Sequence, residues 1–90
     1  MNVTISVTQA DIDDGRHRDC TSCPLALAVR RALPSLPGLS VGNWGIFPDP
    51  RRDPIELPDT ARIFVATFDA DLPVEPFSFT IDVPAELVSP

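Results

Sequence analysis

The sequence predicts a single α+β domain over residues 1–90, two-layered, with two short helices on one face of a three- or four-stranded, mostly antiparallel sheet. Three observations predict it. Apolar and polar residues alternate near both ends of the chain, the period of a half-buried strand. Two internal segments carry apolar residues at helical spacing instead. The prolines and glycines fall between these segments or at their edges, where they punctuate. The order is β-α-β-β-α-β. Laying both helices on one face of the sheet is the simplest way to bury one stripe on each, and a ferredoxin-like split βαβ arrangement fits that order.

Val3, Ile5 and Val7 alternate with polar neighbours and mark the first strand. Thr8, with Asp11 three residues on, reads as a capping box opening one helical turn over 9–14. Gly15 then offers a left-handed stop. Residues 16–22 read as a charged loop. Ser22, Cys23 and Pro24 open a second helix, proline being favoured where its missing N–H would be unpaired anyway. Leu25, Ala28, Val29, Ala32 and Leu33 form its stripe, Arg30 and Arg31 suit the dipole of its last turn, and Pro34 ends it. Residues 34–38 connect to a strand over 39–47. There the alternation switches parity at Gly42-Asn43, which predicts a bulge or turn. Residues 48–54 read as an exposed loop, and Ile55 and Leu57 as a short strand. Pro58-Asp59-Thr60 start the last helix, in which Ala61, Phe64, Val65 and Phe68 sit at i, i+3, i+4 and i+7. Phe77, Phe79, Ile81 and Val83 alternate in the final strand, before a tail over 84–90.

Ninety residues make one domain. A chain of this size buries only somewhat over about 60% of its unfolded surface, so modest stability is expected. A hydrophobic fraction of 43% is enough for a core despite eleven prolines. Thirteen acids against seven bases give a net charge of −6, which opposes nucleic acid and anionic membranes. All seven bases are Arg and tyrosine is absent, a composition that suggests a high-GC bacterium or one of its phages. The longest apolar run, Leu25 to Val29, is too short to cross a bilayer. The N-terminus lacks the basic start and long apolar stretch of a secretory signal, so the expected location is the cytoplasm.

Three features could carry chemistry or recognition. Cys20 and Cys23 have Cys-x-x-Cys spacing in Asp-Cys-Thr-Ser-Cys-Pro. Cys23 at a helix start favours thiolate, but a charged loop and a short helix separate the pair from the first strand, unlike a thioredoxin motif. As zinc ligands the two supply half a site, with His17 as a third donor and Asp19 as a poor fourth. The alternative is structural: Cys23 packs as a small hydrophobe and Cys20 steadies the loop. His17, the single histidine, could serve as a general base only beside a nucleophile or acid in a pocket, and as a lone loop residue between Arg16 and Arg18 it reads as solvated. Trp44, Ile46 and Phe47, with Arg51 and Arg52 in the loop that follows, form the expected contact surface. An aromatic flanked by Gly42 and Gly45 need not be fully buried, and aromatics with Arg are the usual anchors of protein interfaces; the alternative is that Trp44 caps the edge of the core. The sequence holds no nucleophile elbow, phosphate-binding glycine loop or paired-histidine zinc motif. No catalytic residue and no cofactor is expected, zinc on Cys20 and Cys23 being the one exception considered. The acid clusters at Asp11, Asp13 and Asp14 and at Asp69, Asp71 and Glu75 read as capping and solvation.

The segments Asp19-Cys-Thr-Ser-Cys-Pro-Leu-Ala-Leu-Ala, Leu57-Pro-Asp-Thr-Ala-Arg-Ile-Phe, Phe68-Asp-Ala and Val74-Glu-Pro-Phe-Ser-Phe together resemble a group of small uncharacterised proteins of actinobacterial phages and mobile elements. The resemblance runs in order along nearly the whole chain. Its most distinctive parts are the Cys-x-x-Cys-Pro helix start and the Pro-Phe-Ser-Phe strand. It implies a phage or prophage setting and brings no catalytic residue. The expectation is a phage-encoded, non-catalytic accessory protein that binds another protein of host or phage, inside the host cell, for example against a host process or defence. The alternatives are a virion component and a small redox or zinc protein built on Cys20 and Cys23.

Overall fold

Alternation at the two ends of the chain produces one ladder. In the computed structural model, which describes residues 1–34, 36, 38–49 and 52–85, β1 (Asn2–Val7) pairs antiparallel with β5 (Phe77–Asp82) along its whole length, from Asn2 opposite Asp82 to Val7 opposite Phe77. Ile5 faces Phe79 and Val3 faces Ile81, so the apolar residues of both strands share one face and pair across it. The other parity is exposed.

Between them run α1 (Gln9–Asp14), α2 (Pro24–Ala32), β2 (Ser40–Val41), β3 (Gly45–Phe47), β4 (Ile55–Glu56) and α3 (Asp59–Asp69). The chain is α+β as expected, and its strands fall into two antiparallel sheets, β1-β5 and β2-β3-β4. Pro48, Pro54 and Pro58 lie just outside β3 and β4. Proline donates no ladder hydrogen bond, which confines these strands to two or three residues. The ferredoxin-like arrangement is not formed, because among the described residues β1 pairs only with β5.

Both expected stripes are buried. Leu25, Ala28 and Val29 of α2, with Leu33 just after it, join Ala61, Phe64, Val65 and Phe68 of α3 in one core with Ile5, Phe79 and Ile81. Ala32 is the exception and is exposed. Phe64 stacks on Phe77 at 4.8 Å, seating α3 against the start of β5. No helix among the described residues is long and apolar enough to cross a membrane.

Six residues are too few to hold a helix unaided, so α1 depends on its ends. Thr8 Oγ1 accepts from the Asp11 N–H (3.2 Å), and Asp11 Oδ2 accepts from the Thr8 N–H (2.9 Å), which is the expected capping box. Asp11 is only 4% exposed. The two terminal guanidinium nitrogens of Arg31 donate to its two carboxylate oxygens at 2.8 Å, and one of them also donates to the Ser6 carbonyl. Gly15 does not make the expected left-handed stop, since its φ is −69°. Its need is space: a Cβ there would lie 2.5 Å from Pro24 Cδ and 2.8 Å from the Asp11 carbonyl.

The Arg31 hydrogen bonds, helped by Thr8 and opposed by burial, hold the Asp11 carboxyl below the usual carboxylate range. A depressed folded-state pKa contributes stability above the unfolded-state value and loses it as pH falls through the folded-state value. Asp11→Ala should therefore cost about 2 kcal/mol in urea denaturation at neutral pH, with the deficit shrinking as the pH is taken into the acid range. Gly15→Ala should cost about 1–3 kcal/mol in the same assay, from the forced contact with Pro24.

Candidate functional site

The parity switch at Gly42-Asn43 is a tight turn. The Gly42 N–H donates to the Gly45 carbonyl at 2.9 Å, leaving Asn43 and Trp44 at the tip of the β2–β3 hairpin. Neither tip residue has a positive φ, so this is not one of the primed turns most hairpins use. The Trp44 carbonyl accepts from the Leu57 N–H at 3.0 Å, which ties the tip to the chain leaving β4. Trp44 is thus fixed through its backbone while its side chain remains 43% exposed. Phe47 meets it edge to face, with centroids 5.3 Å apart. The absence of a side chain at Gly42 lets Phe47 lie close, since a Cβ there would be 3.0 Å from the ring.

Of the expected contact residues, the structure places Trp44 and the half-buried Phe47 together at the surface. Ile46 belongs to the core: it is fully buried and pairs with Val41 and Ile55 across the sheet. One-residue alternation requires this, because Ile46 must face opposite to its neighbour Phe47. Arg52 is exposed and pairs with Asp49 at 3.1 Å. Arg51 lies outside the described residues.

Beside the hairpin turn is an open cleft of about 310 Å³. Cys20, Cys23, Arg18 and Asp69 line one part of it, and Val41, Gly42 and Asn43 another. The loop that carries the cysteines is built by Asp19, whose Oδ1 accepts from Thr21 Oγ1 (2.9 Å) and from the N–H groups of Thr21 (3.0 Å) and Ser22 (3.2 Å). These bonds, the Thr21 backbone contribution foremost, hold the Asp19 carboxyl below its ordinary pKa. Both cysteines are unbridged. Cys20 is exposed, and its carbonyl accepts from the Val41 N–H at 2.7 Å. Cys23 caps α2, its Sγ accepting from the Ala26 N–H at 3.4 Å. It is 5% exposed, and burial pushes its thiol pKa up.

A clasp closes one end of the cleft. The Arg18 N–H donates to Asp69 Oδ1 (2.9 Å), and its guanidinium donates to the Asp69 carbonyl (2.7 Å). His17 lies flat on Phe68, centroids 4.2 Å apart and planes within 2°, with Nε2 3.1 Å from Asp71 Oδ1. Arg18 and Asp71 have φ of 56° and 63°, a left-handed conformation that costs a non-glycine residue energy. The clasp therefore holds strained backbone on both of its sides. His17 is not simply solvated: docking on α3 uses its ring face and its Nε2. It is not among the residues lining the Cys20–Cys23 cleft. Among the described residues no group of three or more His, Cys, Asp or Glu side chains could hold a metal ion.

Compared with known proteins, the chain matches no family model, no curated protein and no solved structure.

Arg18, Asn43 and Asp69 were not among the expected site residues. Asp69 and Arg18 meet across 51 positions of sequence, and neither carries a local signal. The nearest hint is Phe68-Asp69 at the end of the strongest helical stripe, which directs Phe68 inward and leaves the next residue at the helix rim.

His17→Ala should lose about 0.5–1.5 kcal/mol of stability by urea denaturation, from the lost stacking on Phe68 and contact with Asp71. His17→Phe should recover the larger part, because it keeps the stacking face.

Proposed function

We propose that this is a non-catalytic protein-binding module, with the hairpin-tip pair Trp44 and Phe47 as its anchor. The observation that supports this reading is the 43% exposure of Trp44 on a tip whose backbone is held on both sides. An aromatic presented by a fixed backbone has little conformational freedom left to lose on binding, which favours affinity. Tryptophan is also enriched among the residues that dominate interface energetics. The Arg52–Asp49 pair in the following loop is a polar contact of the type found at an interface rim.

The resemblance to small proteins of actinobacterial phages supplies the setting. The module is phage-encoded and acts inside the host cell on a protein of host or phage, host takeover or interference with defence being the forms that suit it. The net charge of −6 favours a partner with a basic face over nucleic acid.

Affinity capture from host lysate with the full chain, followed by mass spectrometry, tests the reading. Wild type should retain a specific protein. Trp44→Ala should bind that purified protein at least about tenfold more weakly while remaining folded, its unfolding midpoint lowered only by the lost edge contact with Phe47. Equal binding by the variant would sink the assignment of the hairpin tip, and no specific capture would sink the binding module.

A further inference from the structure

Beside the hairpin, we propose that Cys20 and Cys23 form a redox-active dithiol, which low-molecular-weight disulfides of the glutathione class convert to an intramolecular disulfide, and that the hairpin turn responds to the change. This goes beyond the binding reading and does not require it.

The geometry carries the proposal in three steps. Both cysteines border the same open cleft, so a mixed disulfide formed on Cys20 there lies beside Cys23. A turn closed by the Ser22 N–H on the Asp19 carbonyl (3.3 Å), and held by the Asp19 side chain, fixes the backbone between the two cysteines. Their exposures differ in the way sequential exchange needs: Cys20 is open to solvent, and Cys23 is shielded at 5% exposure under the start of α2.

Cys20 therefore reacts first. Its thiol loses a proton to water, and the thiolate attacks one sulfur of the disulfide RSSR, expelling RS⁻, which takes up a proton. Cys23 then gives up its proton and attacks Cys20 Sγ in the mixed disulfide. This forms the Cys20–Cys23 bond and releases the second RS⁻, protonated in turn. The protein dithiol is oxidised by two electrons, and one RSSR is reduced to two RSH. Burial, which keeps Cys23 protonated, suits the later role, because a shielded thiol does not compete for the incoming reagent.

The hairpin shares this cleft. The Cys20 carbonyl holds the Val41 N–H at 2.7 Å, and Val41, Gly42 and Asn43 form part of the cleft wall. Drawing Cys20 toward Cys23 moves that carbonyl relative to β2, two residues before the turn. Trp44 is the single tryptophan of the chain, so its emission reports the hairpin alone.

The test uses the reduced full chain, oxidised glutathione, acid quench and intact mass. Wild type should become two hydrogens lighter, retain no glutathione, and show a shift in Trp44 emission that reductant reverses. Cys23→Ser, which keeps an oxygen cap for α2, should stop as a stable glutathione adduct on Cys20. Cys20→Ser should remain unmodified over the same time. Wild type that keeps glutathione, links to a second chain or stays reduced overturns the dithiol. A closed bridge with unchanged emission overturns the coupling to the hairpin. No partner protein is present, so this outcome is read separately from binding at Trp44.

Discussion

The Asp11 carboxylate organises the N-terminal half of the molecule. It is buried, and a buried carboxylate is costly unless its oxygens are hydrogen-bonded and its charge is paired. Here the Thr8 N–H and two Arg31 nitrogens meet it, and Arg31 also takes the Ser6 carbonyl at the end of β1. One charged group thus joins β1, α1 and α2. The Asp11 carbonyl accepts from the Gly15 N–H at 2.8 Å, and Gly15 packs against Pro24. The position of the α2 start, and with it the Cys23 cap, follows from this chain of contacts.

The Asp19–Cys23 loop is held from several sides. Asp19 gathers the turn, the Arg16 N–H closes the loop on the Ser22 carbonyl at 2.8 Å, and Val41 bonds the Cys20 carbonyl. The clasp on α3 adds Arg18 to Asp69 and His17 to Phe68 and Asp71. Much of this network is exposed, so each contact is individually weak. Its effect is collective: it supports two left-handed residues and keeps the cleft between the cysteine loop and the hairpin turn. The proposed binding tip and the proposed thiol pair are joined by the Cys20–Val41 backbone hydrogen bond, three residues from Trp44.

The ladder of β1 and β5 gives this arrangement its base. It joins the first strand to the last, and the Val83 N–H donates to the Met1 carbonyl at 2.9 Å. The short β2-β3-β4 sheet adds less backbone pairing, which suits a segment that presents side chains.

Local features were legible in the residues alone. The alternating ends, the Thr8–Asp11 box, the Cys23-Pro24 start, the stripe from Ala61 to Phe68 and the turn at Gly42-Asn43 all depend on neighbours within about one helical turn, and all are formed. The glycines beside Trp44 left open whether it would stand at the surface or cap the core edge, and its exposure and the burial of Ile46 depended on which face of the hairpin met the core. The pairing of β1 with β5, the division into two sheets, the docking of His17 and the meeting of Arg18 with Asp69 were decided only by the tertiary structure. Periodicity states that a strand has an apolar face and a helix an apolar stripe. It carries no information on which distant segment covers them, and contacts between residues far apart in sequence arise only once the core has brought their elements together.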